Sequence, residues 1–431
     1  MKSFFDGTPK KKALQRAVVA GVRKKGDYAA VQDRYLDEII SLCRTAGAEV
    51  VGRFTQAVDR FNPATLIGSG KVEELAALVK ERGANLVIFD TSLSPSQQMN
   101  LEKRLKLQVV DRPGIILDIF ALHARTRESR VQVELAQFEY LLPRLARGWK
   151  HLERQEGSIG TRGPGETQLE TDRRLIRLRI SELKKKLKRI ESERMIQRKM
   201  RKGLFKVCLV GYTNTGKSSI FNFLTGENIT AANYLFATLD STTRRLKLSG
   251  KNELLVSDTV GFIRKLPVSL VASFKSTLYE VSGADLLIHV IDISESDFDD
   301  RIATVNGVLR EIKCDRIPVL HVFNKIDKLN DPDLFRSLLG QYPGSRFASA
   351  VTGEGMARLV ETLEYYLDKS RATVMASIPP RDGDKLSLLS SLGQLIDSET
   401  DNGILKVKVK IPVNRLGKLE SKGIDFIRLK D

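Results

Sequence analysis

One octapeptide, Gly211-Tyr-Thr-Asn-Thr-Gly-Lys-Ser218, constrains the fold of this chain more than any other feature. It comes directly after the apolar run Phe205–Val210 and opens a helical pattern with apolar residues at Ile220, Phe221 and Leu224. Its glycines allow backbone N–H groups to close around phosphates at a helix N-terminus, where the helix dipole favours negative charge. We therefore expect a strand, a phosphate-binding loop (the P-loop) and a helix. Lys217 should contact the β- and γ-phosphates, and the Ser218 hydroxyl should bind Mg²⁺.

Two further motifs follow at the ends of later apolar runs. Asp258-Thr-Val-Gly261 provides a carboxylate that can hold the metal through water, and the Gly261 N–H can donate to the γ-phosphate. In Asn324-Lys-Ile-Asp327, Asp327 can accept from the ring N–H and the exocyclic amine of guanine, a pair that adenine does not offer, and Asn324 can donate to the O6/N7 edge. Each tetrapeptide alone also fits an ordinary turn. Their order behind the P-loop predicts an enzyme that binds and hydrolyses GTP.

The segment Leu235–Thr243 lies between the first two motifs and has the position of a switch. One threonine there should ligate Mg²⁺ and sense the γ-phosphate; we expect Thr238, with Thr242 as the alternative. The loop Ser349-Ala-Val351 should support the base from behind. The predicted catalytic residues are Lys217, Thr238 and Gly261, and the predicted metal ligands are Ser218 and Thr238. The predicted nucleotide-contacting residues are Gly211, Tyr212, Thr213, Asn214, Thr215, Gly216, Lys217, Ser218, Phe236, Ala237, Thr238, Leu239, Asp240, Asp258, Thr259, Val260, Gly261, Asn324, Lys325, Ile326, Asp327, Ser349, Ala350 and Val351.

Phe262 stands directly after Gly261, where a Ras-like GTPase has a glutamine that orients water. Because a phenyl ring cannot polarise water, we expect slow intrinsic hydrolysis that a partner or another element accelerates. Packing of Phe262 on the sheet is an alternative that is compatible with this expectation.

The charge of the chain favours a polyanionic partner. Over 431 residues, Lys and Arg exceed Asp and Glu by 71 − 53 = +18. Nucleic acid is the expected partner, and a merely basic, well-solvated surface is the alternative. Three scattered cysteines and four histidines without ligand spacing indicate neither a disulfide framework nor a metal site of their own. The N-terminus lacks a long apolar stretch and no run of about 18 apolar residues occurs, so we expect a cytoplasmic location.

Apolar patterning predicts an α/β fold in four parts. Residues 1–126 alternate helical and strand-like segments, which favours a small α/β domain with a parallel sheet. Residues 127–203 should form a basic antiparallel helical hairpin, although Pro143 should kink or interrupt its first helix. Residues 204–371 should form a doubly wound P-loop G domain. Residues 372–431 should form a small α+β C-terminal domain, with a helix over Leu386–Ile396 and a strand over Ile404–Ile411.

The second hairpin helix, Thr167–Lys202, shows heptad spacing typical of a coiled-coil seam. The seam positions are Leu169, Ile176, Ile180, Leu183, Leu187 and Ile190. The same helix is strongly basic, and the connection before it, Gly157–Gly165, is dense in glycine. A solvated helix face with a flexible tip is one interpretation. An arm that probes RNA is the interpretation we prefer, because bare backbone and arginine can approach nucleic acid closely.

The chain resembles the HflX family of GTPases over nearly its whole length up to the end of the G domain. The most specific matches lie outside the nucleotide motifs: Ile67-Gly-Ser-Gly-Lys-Val-Glu-Glu-Leu75, Leu93-Ser-Pro-Ser-Gln97, Gln132-Val-Glu-Leu-Ala-Gln137, and Gly157-Ser-Ile-Gly-Thr-Arg-Gly-Pro-Gly-Glu-Thr-Gln-Leu-Glu170 with Asp172-Arg-Arg174. Pro113 and Ser241 depart from the family pattern, where threonine and proline are usual, and neither is a predicted ligand. The resemblance does not extend clearly to the C-terminal domain.

The resemblance implies a ribosome-stimulated GTPase that binds the large ribosomal subunit and its rRNA and splits stalled or idle ribosomes under stress. It makes Arg162 and the tip glycines candidate rRNA contacts, assigns Mg²⁺ to Ser218 and Thr238, and suggests K⁺ at Asn214. No DNA partner is expected, membrane association is at most peripheral, and the protein is expected to be a monomer. No second phosphate loop is legible in the N-terminal domain, so no second nucleotide is predicted.

Two alternatives to ribosome splitting remain at this stage. One is a GTP-regulated RNA-binding or ribosome-assembly switch without splitting activity. The other is a regulator that charge attracts to a membrane surface, for which the sequence lacks an amphipathic, aromatic-faced anchor.

Overall fold

The computed structural model describes residues 15–26, 29–148, 168–200, 204–227, 235–249, 252–264, 280–329, 331–379, 382–401 and 404–429. The chain divides into two compact units. The N-terminal unit comprises Met1–Glu193, Thr230–Asp240 and Val260–Leu278, and the C-terminal unit comprises Arg194–Ile229, Ser241–Thr259 and Tyr279–Asp431. The finer division into four domains stays a prediction.

A four-stranded, all-parallel sheet forms the centre of the N-terminal unit, as its alternating pattern predicts. Its strands are β1 (Gln15–Lys24), β2 (Ala48–Val58), β3 (Leu86–Phe89) and β4 (Gln108–Asp111), in the spatial order β2-β1-β3-β4. Four helices accompany them: α1 (Ala29–Thr45), α2 (Ser69–Arg82), α3 (Pro95–Leu105) and α4 (Arg112–His123). The short strands β3 and β4 are almost entirely buried, which is why they are continuous apolar runs.

Local caps set the helix boundaries in this unit. The Ser94 side chain accepts from the Gln97 backbone N–H while the Gln97 side chain accepts from the Ser94 N–H, so both ends of a capping box are present. Asp111 similarly accepts from the Gly114 N–H at the start of α4. Helix α4 was missed by the sequence prediction, although an aspartate two positions before Pro113 is a helix-start signal.

The predicted helical hairpin is present as α5 (Arg127–Gly148) and α6 (Gln168–Met200). Val131 and Leu135 of α5 pack against Leu183 and Ile190 of α6, which confirms that part of the predicted seam. Pro143 does not interrupt the first helix, because α5 continues past it, and the expected kink at this position stays a prediction. Arg144 stabilises that turn from outside, because its Nη1 donates to the Tyr140 carbonyl at 2.9 Å and its guanidinium lies 3.5 Å from the Tyr140 ring centroid. The tip Gly157–Gly165, with Arg162, lies outside the described residues.

The C-terminal unit contains the predicted doubly wound sheet. Five strands are parallel and one edge strand is antiparallel, in the order β10-β9-β8-β5-β7-β6. They are β5 (Phe205–Gly211), β6 (Thr242–Lys247), β7 (Glu253–Asp258), β8 (Leu286–Asp292), β9 (Val319–Asn324) and β10 (Arg346–Ala348). The accompanying helices are α7 (Lys217–Thr225), α8 (Phe298–Glu311), α9 (Pro332–Gln341) and α10 (Met356–Lys369).

A second sheet in the same unit is antiparallel, in the order β12-β13-β11-β14. Its strands are β11 (Arg371–Ile378), β12 (Gln394–Asp401), β13 (Ile404–Pro412) and β14 (Asp425–Arg428), with helices α11 (Gly383–Leu392) and α12 (Leu416–Ser421) packed on one face. The strand prediction over Ile404–Ile411 is confirmed. The helix prediction is wrong beyond Leu392, because Gly393 approaches β13 so closely that a Cβ there would lie 2.5 Å from Ile411 Cγ1. The last residues of the predicted helix, after Gly393, belong to strand β12.

Among the helices in the described part of the chain, none has the length and apolar character needed to cross a bilayer.

Candidate nucleotide-binding site

The P-loop connects β5 to α7 in a conformation that requires glycine at two positions. At Gly211 (φ +153) a Cβ would lie 2.3 Å from the Val290 carbonyl oxygen. At Gly216 (φ +90) it would lie 2.2 Å from Asn324 Nδ2. Asn214, between them, also has a left-handed φ of 62°. The loop therefore wraps tightly around the start of α7, with its backbone free of side chains where it approaches β8 and the third motif.

Lys217 is the first residue of α7 and is almost fully buried, with 6% of its surface exposed. Its Nζ donates to the carbonyl oxygens of Tyr212 at 2.6 Å and Gly211 at 3.2 Å. Burial lowers the pKa of this ammonium to about 8, and the nearby carboxylate of Asp258 opposes the shift. The carbonyl dipoles around the Lys217 ammonium stabilise its charge only partly, and a triphosphate in the loop would supply full negative charge beside it.

Two oxygen donors lie side by side at the beginning of α7 and the end of β7. The Ser218 hydroxyl donates to Asp258 Oδ2 at 2.7 Å, and Asp258 is fully buried. Hydroxyl and carboxylate oxygens are the ligands that Mg²⁺ prefers, so this pair fits the predicted metal position. The strand end is held in place because the Thr259 hydroxyl donates to the Leu209 carbonyl at 2.6 Å. The described residues contain no cluster of three or more His, Cys, Asp or Glu suited to a metal.

The third motif is joined to the P-loop by direct hydrogen bonds. Asn324 Nδ2 donates to the Thr215 carbonyl at 2.8 Å, while its Oδ1 accepts from the Ala350 N–H at 3.2 Å. Lys325 Nζ donates to the Asn214 carbonyl at 2.8 Å and pairs with Asp292 at 2.6 Å. Sequence reasoning assigned Asn324 to the base edge. The structure gives its side chain a second task, which is to link the P-loop to the loop behind the base.

Asp327, the predicted guanine acceptor, is exposed in a short 3-10 helix, Ile326–Lys328. The supporting loop is ordered by Ser349, which is fully buried and accepts from the N–H groups of Val351 at 3.3 Å and Thr352 at 3.2 Å. Val351 projects away from the protein with 84% of its surface exposed. Within one unit, the structure thus brings together the P-loop, Asp258, the Asn324–Asp327 motif and Ser349–Val351.

The sequence analysis missed residues that contact Tyr212 of the P-loop and Lys325 of the third motif. The guanidinium of Arg301 on α8 lies 5.1 Å from the Tyr212 ring centroid and pairs with Glu295 and Asp297. Asp292, which holds Lys325, ends β8 in the same way as Asp258 ends β7. That shared position, at the carboxyl end of a buried parallel strand, is the signal by which Asp292 could have been found.

Of the switch segment, Leu235–Asp240 belong to the N-terminal unit, as do Val260 and Gly261, whereas Ser241–Thr243 belong to the C-terminal unit. Phe236 is 2% exposed, has φ +59, and meets the ring of Phe120 edge-on with centroids 4.8 Å apart. The Asp240 carboxylate accepts from residues at the start of α5. Thr242, the alternative metal ligand, begins β6 and lies opposite Asp258 in the antiparallel register. The roles assigned to Phe236–Asp240, Val260 and Gly261 at the nucleotide stay predictions.

Comparison with known families covers most of the chain. Residues 33–121 match the family described as GTP-binding GTPase N-terminal, 123–201 the GTP-binding GTPase middle region, and 206–325 the 50S ribosome-binding GTPase. A GTPase HflX of Escherichia coli is 45% identical over 401 residues, which is 91% of this chain and 94% of the relative. A GTPase HflX of Flavobacterium psychrophilum is 50% identical over 314 residues, 73% of this chain and 76% of the relative.

The chain belongs to the HflX family of GTPases. It is accordingly an enzyme that binds and hydrolyses GTP. A crystal structure of a GTP-binding protein from Sulfolobus solfataricus in complex with GDP is 25% identical, covering 82% of this chain and 99% of that one with a TM-score of 0.43. In this HflX-family chain, Phe262 is 5% exposed. Its side chain is therefore buried, and packing on the sheet stays a prediction.

Proposed function

We propose that this GTPase acts on the ribosome: it binds the large subunit and splits stalled or idle ribosomes under stress. The observation that carries the proposal is the set of contacts among the P-loop, Asp258 and Asn324, which all lie within residues 206–325 that match the 50S ribosome-binding GTPase family. The net charge of +18 agrees with a partner rich in rRNA. The protein is proposed to act as a cytoplasmic monomer with at most peripheral membrane contact.

The nucleotide chemistry is assigned to residues of all three motifs. Lys217 binds the β- and γ-phosphates, and the Gly261 N–H donates to the γ-phosphate. Ser218 and Thr238 hold Mg²⁺, which neutralises charge on the phosphate oxygens. The exposed side chain of Asn214 is proposed to bind K⁺. Asp327 selects guanine.

Water activation needs a group from outside this set. Phe262 occupies the place of a water-orienting residue and has no polar atom with which to replace it. Stimulation by the large subunit is therefore expected to be large compared with the basal rate.

The hairpin supplies the rRNA-binding surface in this proposal. Ion pairs in the described part of the hairpin join its helices, among them Arg179 with Glu134 at 2.7 Å and Lys184 with Glu139 at 2.8 Å. Further basic residues on α6 face solvent, and they are Arg177, Lys185, Lys186, Lys188 and Arg189. Because phosphate contacts dominate the affinity of proteins for nucleic acid, this face suits rRNA.

The test measures phosphate release from GTP by the full chain, with and without purified large subunits. We expect a strong acceleration by the subunits. In parallel, intact ribosomes are sedimented with protein and GTP, and we expect an increase in free subunits. Acceleration without a change in the subunit ratio would favour the ribosome-assembly switch, and the absence of both effects would refute the ribosomal proposal.

A further inference from the structure

The switch segment is held at two points that flank its threonine. Phe236 stands two residues before Thr238, and Asp240 stands two residues after it. Phe236 packs on Phe120 of α4, and Asp240 binds the start of α5. Both partners come from the region that precedes the G domain in sequence.

The Asp240 contact is the stronger of the two. One carboxylate oxygen accepts from the Thr126 hydroxyl at 2.6 Å. The other accepts from the backbone N–H groups of Arg125 and Thr126, each at 3.1 Å. Three hydrogen bonds to one carboxylate at the beginning of a 22-residue helix combine charge assistance with a favourable helix dipole. We refer to Arg125, Thr126 and Asp240 as the switch clasp.

The Phe236 contact carries a conformational cost. A bulky residue with φ +59 is in the left-handed region, which persists only where the surroundings enforce it. Here the surroundings are the edge-on contact with Phe120 and near-complete burial, with 2% of Phe236 exposed. Strained backbone beside a functional residue is a common feature of switch regions.

We propose that Thr126 is a positioning residue for GTP hydrolysis: through the clasp, it fixes the segment that presents Thr238 to Mg²⁺ and the γ-phosphate. The inference rests on the proposed role of Thr238. Contacts on both sides restrict the motion of Thr238. Most of the entropy cost of ordering the switch segment is therefore incurred when the protein folds, before the nucleotide binds. GDP has no γ-phosphate for Thr238 to sense, so its binding should not depend on the clasp.

The test compares GTP turnover as a function of Mg²⁺ concentration for the full chain and three single variants. Thr126→Val removes the hydroxyl at nearly constant volume, whereas Thr126→Ser retains it and is the matched control. Thr126 also accepts from the Ser129 N–H at 3.1 Å and thereby caps α5. Asp240→Asn weakens the clasp and leaves this cap intact, so a shared effect of the two variants cannot come from the cap alone.

We expect Thr126→Val and Asp240→Asn to raise the Mg²⁺ concentration for half-maximal turnover about fivefold or more, while Thr126→Ser resembles the parent. The affinity of Thr126→Val for GDP should be unchanged. The double variant Thr126→Val/Asp240→Asn should be no worse than the more severe single variant, because both changes break one interaction. An unchanged magnesium requirement in Thr126→Val would overturn the inference. Faster turnover would also overturn it, since it would show the clasp to be an inhibitory latch.

Thr238→Ala separates this inference from the function on which it rests. If Thr238→Ala leaves the magnesium requirement unaltered, the proposed metal role of Thr238 fails and the inference falls with it. If Thr238→Ala raises the requirement but Thr126→Val does not, only the positioning role is refuted.

Discussion

At the scale of single residues, Gly216 is a position where the site tolerates little change. Its φ of +90 disfavours any side chain, and a Cβ would press against Asn324 Nδ2. We expect Gly216→Ala to displace Asn324 from the P-loop, to weaken GDP binding at least tenfold, and to destabilise the fold by about 1–3 kcal/mol. Calorimetric titration with GDP measures the affinity.

Gly226 provides the matched control. It also has a left-handed φ, +69, but a Cβ there would meet nothing within 4 Å. Gly226→Ala should therefore lower stability through backbone strain while GDP affinity stays near that of the parent. Equal affinities for the two variants would show that the Gly216–Asn324 contact is not what shapes the loop.

Burial of His289 should make the stability of the fold depend on pH in the acid range. It is buried in the middle of β8, and burial, with smaller effects from His321 and Lys217, lowers its pKa to about 3 from an ordinary value of 6.5. Below pH 6.5 His289 binds a proton in the unfolded chain but stays neutral in the folded chain. The free energy of unfolding therefore falls as the pH drops from 6.5 towards 3.

Replacement of His289 by glutamine should flatten that dependence. Between pH 7 and pH 5 we expect the free energy of unfolding of the parent to fall by up to about 2 kcal/mol more than that of His289→Gln. Denaturant titrations at the two pH values measure the difference. Parallel losses in both proteins would mean that other groups cause the acid sensitivity.

Residue chemistry in the motifs was predictable, but the partners of those residues were not. Lys217, Ser218 and Asp258 are recognisable because a P-loop and a strand-end aspartate have local signatures. Asp292 shares the strand-end position of Asp258, but Arg301 and Thr126 have no such signature. Their roles arise only when strands far apart in sequence become neighbours in a sheet, or when a helix start meets a distant loop.

At the scale of elements, the α5–α6 seam should dominate the stability of the hairpin. Leu183 is 1% exposed and packs in the seam, whereas Leu178 on the same helix is 55% exposed. Leu183→Ala should lower the free energy of unfolding by about 2–5 kcal/mol, and Leu178→Ala should change it by less than about 0.5 kcal/mol. Chemical denaturation followed by circular dichroism distinguishes them, and similar losses in both would contradict this packing.

Periodic elements were predictable, while context-dependent ones were not. The seam and the buried strands of both parallel sheets repeat strongly enough to be recognised in sequence. Edge strand β6 has only Leu246 buried, so its pattern is weak. Helix α5 continues through Pro143, and beside this residue Arg144 contacts Tyr140, a contact that a linear pattern does not reveal.

At the scale of the whole molecule, the positive charge should govern association with the ribosome. Charge-neutralising changes Lys185→Gln, Lys186→Gln and Lys188→Gln on the exposed face of α6 should weaken binding to large subunits about tenfold or more and reduce its salt dependence. Basal GTP turnover should be unaffected. Sedimentation at several salt concentrations measures both the affinity for large subunits and its salt dependence.

Exposed residues on α3 offer the control for this experiment. Lys103→Gln with Arg104→Gln also removes positive charge from a solvent-facing helix, but outside the hairpin. If these changes weaken subunit binding as much as those on α6, net charge rather than the hairpin surface would explain the affinity.

The central claim is that P-loop, strand-end aspartate and Asn324–Asp327 motif form one pocket for a guanine nucleotide, and competitive calorimetry tests it most directly. Titration of the full chain with non-hydrolysable GTP and ATP analogues in Mg²⁺ should show a preference for guanine of about 100-fold or more, since two charge-assisted hydrogen bonds contribute roughly 1.5–3 kcal/mol each. Asp327→Asn should remove most of that preference. Equal affinity of the parent protein for both analogues would contradict the account.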